Sequence, residues 1–255
     1  MTSFLDELFH LQDRVAIVTG GSSGIGRGIA TALARAGTRV VVIARREHGL
    51  RETVAELESY GCRAAHVPAD LGDRAEVRRA AEEAVRPFGE PDILVNCAGI
   101  NLRPPMDELG EHVWDQTMTV NLDAPFLLGQ RFAPGMAGRG YGRIINIASQ
   151  QSFRAFSHSG AYGASKGGLV ALTRSQAEAW SPRGVCSNAL VPGYVMTPLA
   201  AHIPEDRRAA MAARTLIGRN GVPGDFAGAA VFLASPASAY VTGQAIFVDG
   251  GFSAH

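Results

Sequence analysis

The chain has 255 residues, 46% of them hydrophobic, and its 24 Lys and Arg balance its 24 Asp and Glu. That length and apolar content suffice for a large buried core, while zero net charge without runs of one sign argues against a nucleic-acid surface or a polybasic membrane patch. A small molecule is therefore the expected partner. The opening MTSFLDELFHLQDR carries acids and lacks both a basic start and a long apolar stretch, so it does not read as a signal peptide or membrane anchor. Cys62, Cys97 and Cys186 lie far apart without metal-ligand spacing, which reads as unpaired thiols in the reducing cytoplasm and as no metal centre.

Short β-branched runs alternate with helical patterns along the chain. RVAIVT (14–19) reads as a buried strand, and GIGRGIATALARAG (24–37) then places Ile25, Ile29, Ala32, Leu33 and Ala36 on one helix face before Gly37 ends it. TRVVVIA (38–44), RAAHVPA (63–69), PDILVN (91–96), GRIINIAS (142–149), VCSNALVP (185–192) and QAIFVDGG (244–251) supply six further strands. Helical patterns separate them: LRETVAELESYG, RAEVRRAAEEAVRPFG, a long region from His112 to Ala137, a helix from Gly160 to Trp180, and GDFAGAAVFLAS. Parallel strands need crossovers and both sheet faces need cover. The pattern therefore predicts one α/β domain over residues 1–255, a doubly wound seven-stranded parallel sheet with its substrate pocket built in.

The turn VTGGSSGIGRG sits between the first strand and the first helix, where a helix N-terminus offers free N–H groups and a positive dipole end to a pyrophosphate. That placement makes the domain Rossmann-type. Tyr162 and Lys166 lie four apart on a predicted helix and so share a face. Lys166 is the sole lysine among the 24 cationic residues. An ammonium near a phenol favours the phenolate and brings Tyr162 toward use as a general acid/base, a task a planar guanidinium does not fill.

The spacing Thr19-Gly20-x3-Gly24-x-Gly26, the segment NCAG (96–99), Ser149 with Tyr162-x3-Lys166, PGYVMT (192–197) and the final VTGQAIFVDGG together resemble the short-chain dehydrogenase/reductase family, in its order and over nearly the whole chain. Cys97 departs from the family's second Asn. The resemblance implies a catalytic set of Asn121, Ser149, Tyr162 and Lys166, with Asn121 supporting a water that leads from Lys166 to solvent and Lys166 bonding the cofactor ribose. Cofactor contacts are implied for Gly20, Ser22, Ser23, Gly24, Ile25 and Gly26, for Arg45, Arg46, Asp70 and Leu71, for Asn96, Ala98 and Gly99, for Tyr162 and Lys166, and for Pro192, Gly193, Val195 and Thr197. A homotetramer is also implied.

At the end of the second strand, VIARRE puts Ala44 where an NAD-binding carboxylate would stand and follows it with Arg45 and Arg46. A carboxylate repels a 2′-phosphate and a guanidinium binds it, so NADP(H) is expected over NAD(H). Ser23 stands where many NADP-using members carry a basic residue. The segments GINLRPPMDEL and SQQSF resemble the branch that contains gluconate 5-dehydrogenase and 2-deoxygluconate 3-dehydrogenase. Arg103 would then clamp a substrate carboxylate, and Gln150 and Gln151 would meet hydroxyls, with Ser149 holding the reacting oxygen. A 3-oxoacyl-carrier-protein reductase or broad carbonyl reductase shares the same catalytic residues, and an idle NADP-binding regulator is the non-enzymatic alternative.

Overall fold

A short α1 (Phe4–Leu8), on which Ser3 and Asp6 cap each other's backbone, precedes β1 (Val15–Thr19) in the computed structural model, which describes residues 3–201 and 203–254. Helix and strand then alternate through α2 (Gly24–Arg35), β2 (Arg39–Ala44), α3 (Glu47–Ser59), β3 (Ala64–Pro68), α4 (Arg74–Ala84) and β4 (Ile93–Asn96). The second half runs α5 (Glu111–Met118), α6 (Ala124–Gly138), β5 (Gly142–Ile147), α7 (Gly160–Trp180), β6 (Val185–Pro192), α8 (Glu205–Ala213), α9 (Ala227–Ala234) and β7 (Ala245–Val248). The strands form one seven-stranded parallel sheet in the order β3-β2-β1-β4-β5-β6-β7. The expected fold is the one observed.

Alternation along each central strand decides which helices cover which face. Ala16 and Val18 join Val40, Val42 and Val95 on one side, beneath Ile29 and Leu33 of α2, Leu50 and Leu57 of α3 and Leu233 of α9. Ile17, Val41, Ile43 and Leu94 face the other way, against Val77 and Ala80 of α4 and Leu128 and Phe132 of α6. Val170 of α7 packs with Ala189 and Val191 of β6. Because β1 pairs with β2 on one edge and β4 on the other, the crossovers diverge there, and a crevice opens at the strands' C-terminal ends.

Three local details depart from the sequence reading. The buried stripe of α2 is Gly26, Ile29, Ala30, Leu33 and Ala34, while Ile25, Ala32 and Ala36 are only partly covered, because small residues let this helix approach the sheet closely. The region from His112 to Ala137 is broken into α5 and α6 by a π-helical turn, Thr119–Asp123. Helices α1 and α8 were not foreseen; neither buries a residue.

Candidate active site

The crevice at the switch point is a cleft of about 870 Å³. Its floor begins where β1 ends. Gly20 turns the chain at φ +68°, and a Cβ there would lie 2.9 Å from Ala98; at Gly26 a Cβ would come within 2.3 Å of the Gly20 carbonyl oxygen. Both positions require glycine for the turn to pack. Thr53 of α3 steadies it by donating from Oγ1 to the Gly21 carbonyl at 3.1 Å. Ser23 precedes α2 without capping it through its side chain, which leaves first-turn N–H groups and the positive dipole end facing a cleft lined by Ser22, Gly24 and Ile25.

Beyond Ala44 the exposed Arg45 and Arg46 form one rim of the cleft. Arg45 Nη1 lies 3.9 Å from Asp70 Oδ2, while Asp70 Oδ1 accepts from the Gly72 N–H at 2.9 Å, next to the buried Leu71. Opposite, Pro192, Gly193, Val195 and Thr197 fold over the glycine turn, so that a Cβ on Gly24 would stand 3.1 Å from the Thr197 methyl. Thr19 Oγ1 accepts from the Cys97 and Ala98 N–H groups at 3.0 and 3.1 Å, holding the end of β4 to β1. Ala98 and Gly99 line the cleft, but the side chain of Asn96 does not. Its Nδ2 donates to Asn146 Oδ1 at 2.8 Å, within a buried amide network that reaches Thr173 and Gln176. Asn96 straps β4 to β5 from behind the site.

The four candidate catalytic residues come from three elements. Ser149 follows β5, its Oγ accepting from the Gln151 N–H at 3.2 Å, and it neighbours Tyr162 of α7 closely enough to oppose the rise in that phenol's pKa. One turn further along α7, Lys166 is 4% exposed and donates from Nζ to the Ile147 carbonyl at 2.7 Å. Asn121 sits in the π turn and spends both ends of its amide on neighbours: Oδ1 accepts from Ile100 N–H at 2.9 Å, and Nδ2 donates to Ile100 O at 3.0 Å and Ser165 Oγ at 3.1 Å. A Cβ on Gly99 would lie 3.3 Å from Asn121 Oδ1 and 3.6 Å from Lys166 Nζ, so these three groups meet at one point.

Burial dominates the titration of this cluster. It lowers Lys166 from 10.5 to about 8, and it raises Tyr162 above the ordinary value of a phenol. The sequence reading has the ammonium bring the phenol down. In the structure the effects that oppose the rise are the neighbouring Ser149 side chain and the charge of Arg103. The half-buried Cys97 thiol, beside Lys166, is pushed up to about 12 by desolvation and stays protonated at neutral pH.

The outer end of the cleft is polar on one wall and apolar on the other. Arg103 lines it and donates to the Ser157 carbonyl. Gln150 is buried, and its Nε2 is committed to Asp249 Oδ2 at 3.0 Å, so it serves the C-terminal turn rather than a substrate hydroxyl. Gln151 keeps an amide oxygen buried in the wall without a hydrogen-bond partner, as does Asn101. Leu199, Ile203 and Met211 cover the cleft from the α8 side, and Arg214 and Phe252 complete it. The sequence singles out neither Asn101, which lies within GINLRPPMDEL, nor Arg214, which nothing local marks.

An open helix N-terminus at one end of a cleft and a serine, a tyrosine and a buried lysine at the other define a class, the dinucleotide-dependent oxidoreductases. The chain belongs to the short-chain dehydrogenase/reductase family, whose members among its relatives act on CH–OH groups; a family model described as Enoyl-(Acyl carrier protein) reductase matches residues 20–253. It is 39% identical to the 2-dehydro-3-deoxy-D-gluconate 5-dehydrogenase of Dickeya dadantii over 96% of this chain and 98% of that one. It is 38% identical to the gluconate 5-dehydrogenase of Gluconobacter oxydans over 97% of each. Among solved structures, a gluconate 5-dehydrogenase from Burkholderia cenocepacia in complex with NADP and tartrate superposes with a TM-score of 0.92 at 38% identity, covering 98% of both chains.

Proposed function

We propose that this protein is an NADP(H)-dependent dehydrogenase of gluconate-type sugar acids, interconverting a secondary alcohol and a ketone. The observation that carries the reading is the placement of Ser149, Tyr162 and Lys166 between an uncapped helix N-terminus and a wall bearing arginines and unpaired amide oxygens. The residues present fit the dinucleotide. The α2 N-terminus suits a pyrophosphate, and Arg45 and Arg46, with no carboxylate at the end of β2, suit a 2′-phosphate. Relatives solved with NADP support the same assignment.

When bound, the nicotinamide supplies a hydride donor or acceptor at C4. The rest of the reaction belongs to the chain. Ser149 holds the reacting oxygen by a hydrogen bond, and Tyr162 exchanges a proton with it, taking one from the alcohol in oxidation and returning it to the ketone in reduction. Lys166 places a positive charge on the same helix face, and Asn121 holds the Ile100 loop against it.

The test is an activity screen with NADP(H) and NAD(H) over gluconate, 2-dehydro-3-deoxygluconate, acetoacetyl thioesters and simple ketones. A sugar acid should turn over best, and Tyr162→Phe should abolish that turnover while NADPH binding persists. Preference for the thioester would move the protein to the carrier-protein reductases, and absence of all turnover would make it a binding protein. A homotetramer completes the reading. It is supported by the edge strand β7, on which Phe247 is 39% exposed and pairs with the exposed ring of Phe153 at 5.2 Å. Sedimentation as a monomer would contradict it. Three unpaired cysteines agree with a cytoplasmic location.

A further inference from the structure

The outer cleft holds two arginines in unlike settings. Arg103, in the loop after β4, is tied to the Ser157 carbonyl, and its charge is felt at the Tyr162 phenol. Arg214 caps the C-terminal end of α8 with its guanidinium carbon 4.3 Å from the centre of the Phe252 ring. Among the described residues Arg214 has no ion pair and no side-chain hydrogen bond, and the ring beneath it leaves its N–H edge free. The ring beneath it is held in place. Phe252 stacks on Phe156 at 6.5 Å, and the turn that carries Phe252 is pinned by Asp249, which accepts from the Gly251 and Ser253 N–H groups and from Gln150 Nε2, each at 3.0 Å. Gln150 directly follows Ser149. A chain of contacts thus sets Arg214 at a defined place relative to the residue that holds the reacting oxygen.

We propose that Arg214 receives the substrate's carboxylate and so selects a sugar acid over a neutral polyol of the same length. The inference rests on the sugar-acid reading above. In an acid oxidised at carbon 5, as the names of the Dickeya and Gluconobacter relatives specify, the carboxylate is at the other end of the carbon chain from the reacting hydroxyl. Its receptor must stand away from Tyr162. Arg103 is already committed to the Ser157 carbonyl, whereas Arg214 lines the same cleft further toward α8 with its N–H edge uncommitted, over Phe252, whose ring stacks on Phe156 next to Ser157. The unpaired oxygens of Asn101 and Gln151 accept from the hydroxyls between the two ends. A polyol offers those hydroxyls equally, so they do not discriminate; only a cation does. Arg103 is thereby reassigned from carboxylate clamp to electrostatic support of the tyrosine.

The experiment compares kcat/KM for gluconate and 2-dehydro-3-deoxygluconate with that for glucitol, which has a CH2OH group where gluconate has its carboxylate. Wild type, Arg214→Gln, Arg214→Lys and Arg103→Gln are measured, with NADPH titration by fluorescence as the check on folding and cofactor binding. Arg214→Gln should lower the acid-to-glucitol ratio by about 10- to 100-fold, mainly through KM, the size of one lost charge-assisted contact. Arg214→Lys should recover part of it, and Arg103→Gln should lower both substrates together. Equal loss on acid and polyol in Arg214→Gln, or a fall in the ratio confined to Arg103→Gln, overturns the proposal while leaving the sugar-acid reading intact. A wild type that does not prefer the acids defeats that reading, and the proposal with it.

Discussion

Replacing Lys166 with methionine should make the free protein more stable at neutral pH while abolishing turnover. Methionine keeps a long unbranched stem and removes the ammonium. In the unfolded chain that ammonium titrates at its ordinary 10.5, and in the fold at about 8. Between those values the unfolded chain binds more protons, so stability rises with pH across this window, and the full cost of burying the charge is present below it. That cost is about 3 kcal/mol. Against it stands the hydrogen bond from Nζ to the Ile147 carbonyl, whose loss costs about 1 kcal/mol. The variant should therefore gain about 2 kcal/mol at pH 7, or about 4–8 °C in Tm for a chain of this size. The advantage should shrink as pH rises and vanish near pH 10. Urea unfolding of cofactor-free protein at pH 7 and pH 10, at one protein concentration, measures both numbers. A variant less stable than wild type at pH 7, or an advantage that does not change with pH, would refute the argument that burial of this charge is a cost carried for catalysis.

Oxidation should accelerate as pH rises from neutral, because burial holds Tyr162 protonated and the reaction needs the phenolate; reduction, which needs the phenol, should hold through neutral pH and fail only at higher values. A steady-state profile with oxidation fastest on the acid side would contradict this. Ala44→Asp combined with Arg45→Ser should shift cofactor preference toward NAD(H) by at least about 10-fold, since it removes a guanidinium and adds a carboxylate at the proposed 2′-phosphate site. An unchanged kcat/KM ratio for the two cofactors would show that neither position sets the choice.

The sheet was legible because its central strands are buried on both faces and so appear as runs rich in β-branched residues, as in VVVIA and IINI. The glycine turn was legible because its spacing is dictated by contacts a Cβ would break. What stayed hidden depends on tertiary neighbours. Helix α8 buries nothing and carries no apolar stripe, so neither it nor Arg214 at its end has a local signature. Asn96 matches a motif, yet its amide turns toward Asn146, a partner fifty positions away. The pair Gln150 and Gln151 are indistinguishable as letters, and Asp249 at the far end of the chain decides which of them is engaged. The rise in the Tyr162 titration likewise comes from what covers the ring, whereas sequence spacing shows only the lysine one turn away.

The burial of Lys166 has a practical consequence. It is the sole lysine of the chain, and it lies within the long helix α7 at 4% exposure. A protease specific for lysine therefore has one cleavage site in these 255 residues, and that site is closed while α7 is folded against the sheet. Digestion must wait for the helix to open, cuts this chain into two fragments, and slows when a bound ligand stabilises the folded state. The lysine proposed to serve the reaction doubles as a built-in reporter of opening, readable on a gel without label or substrate.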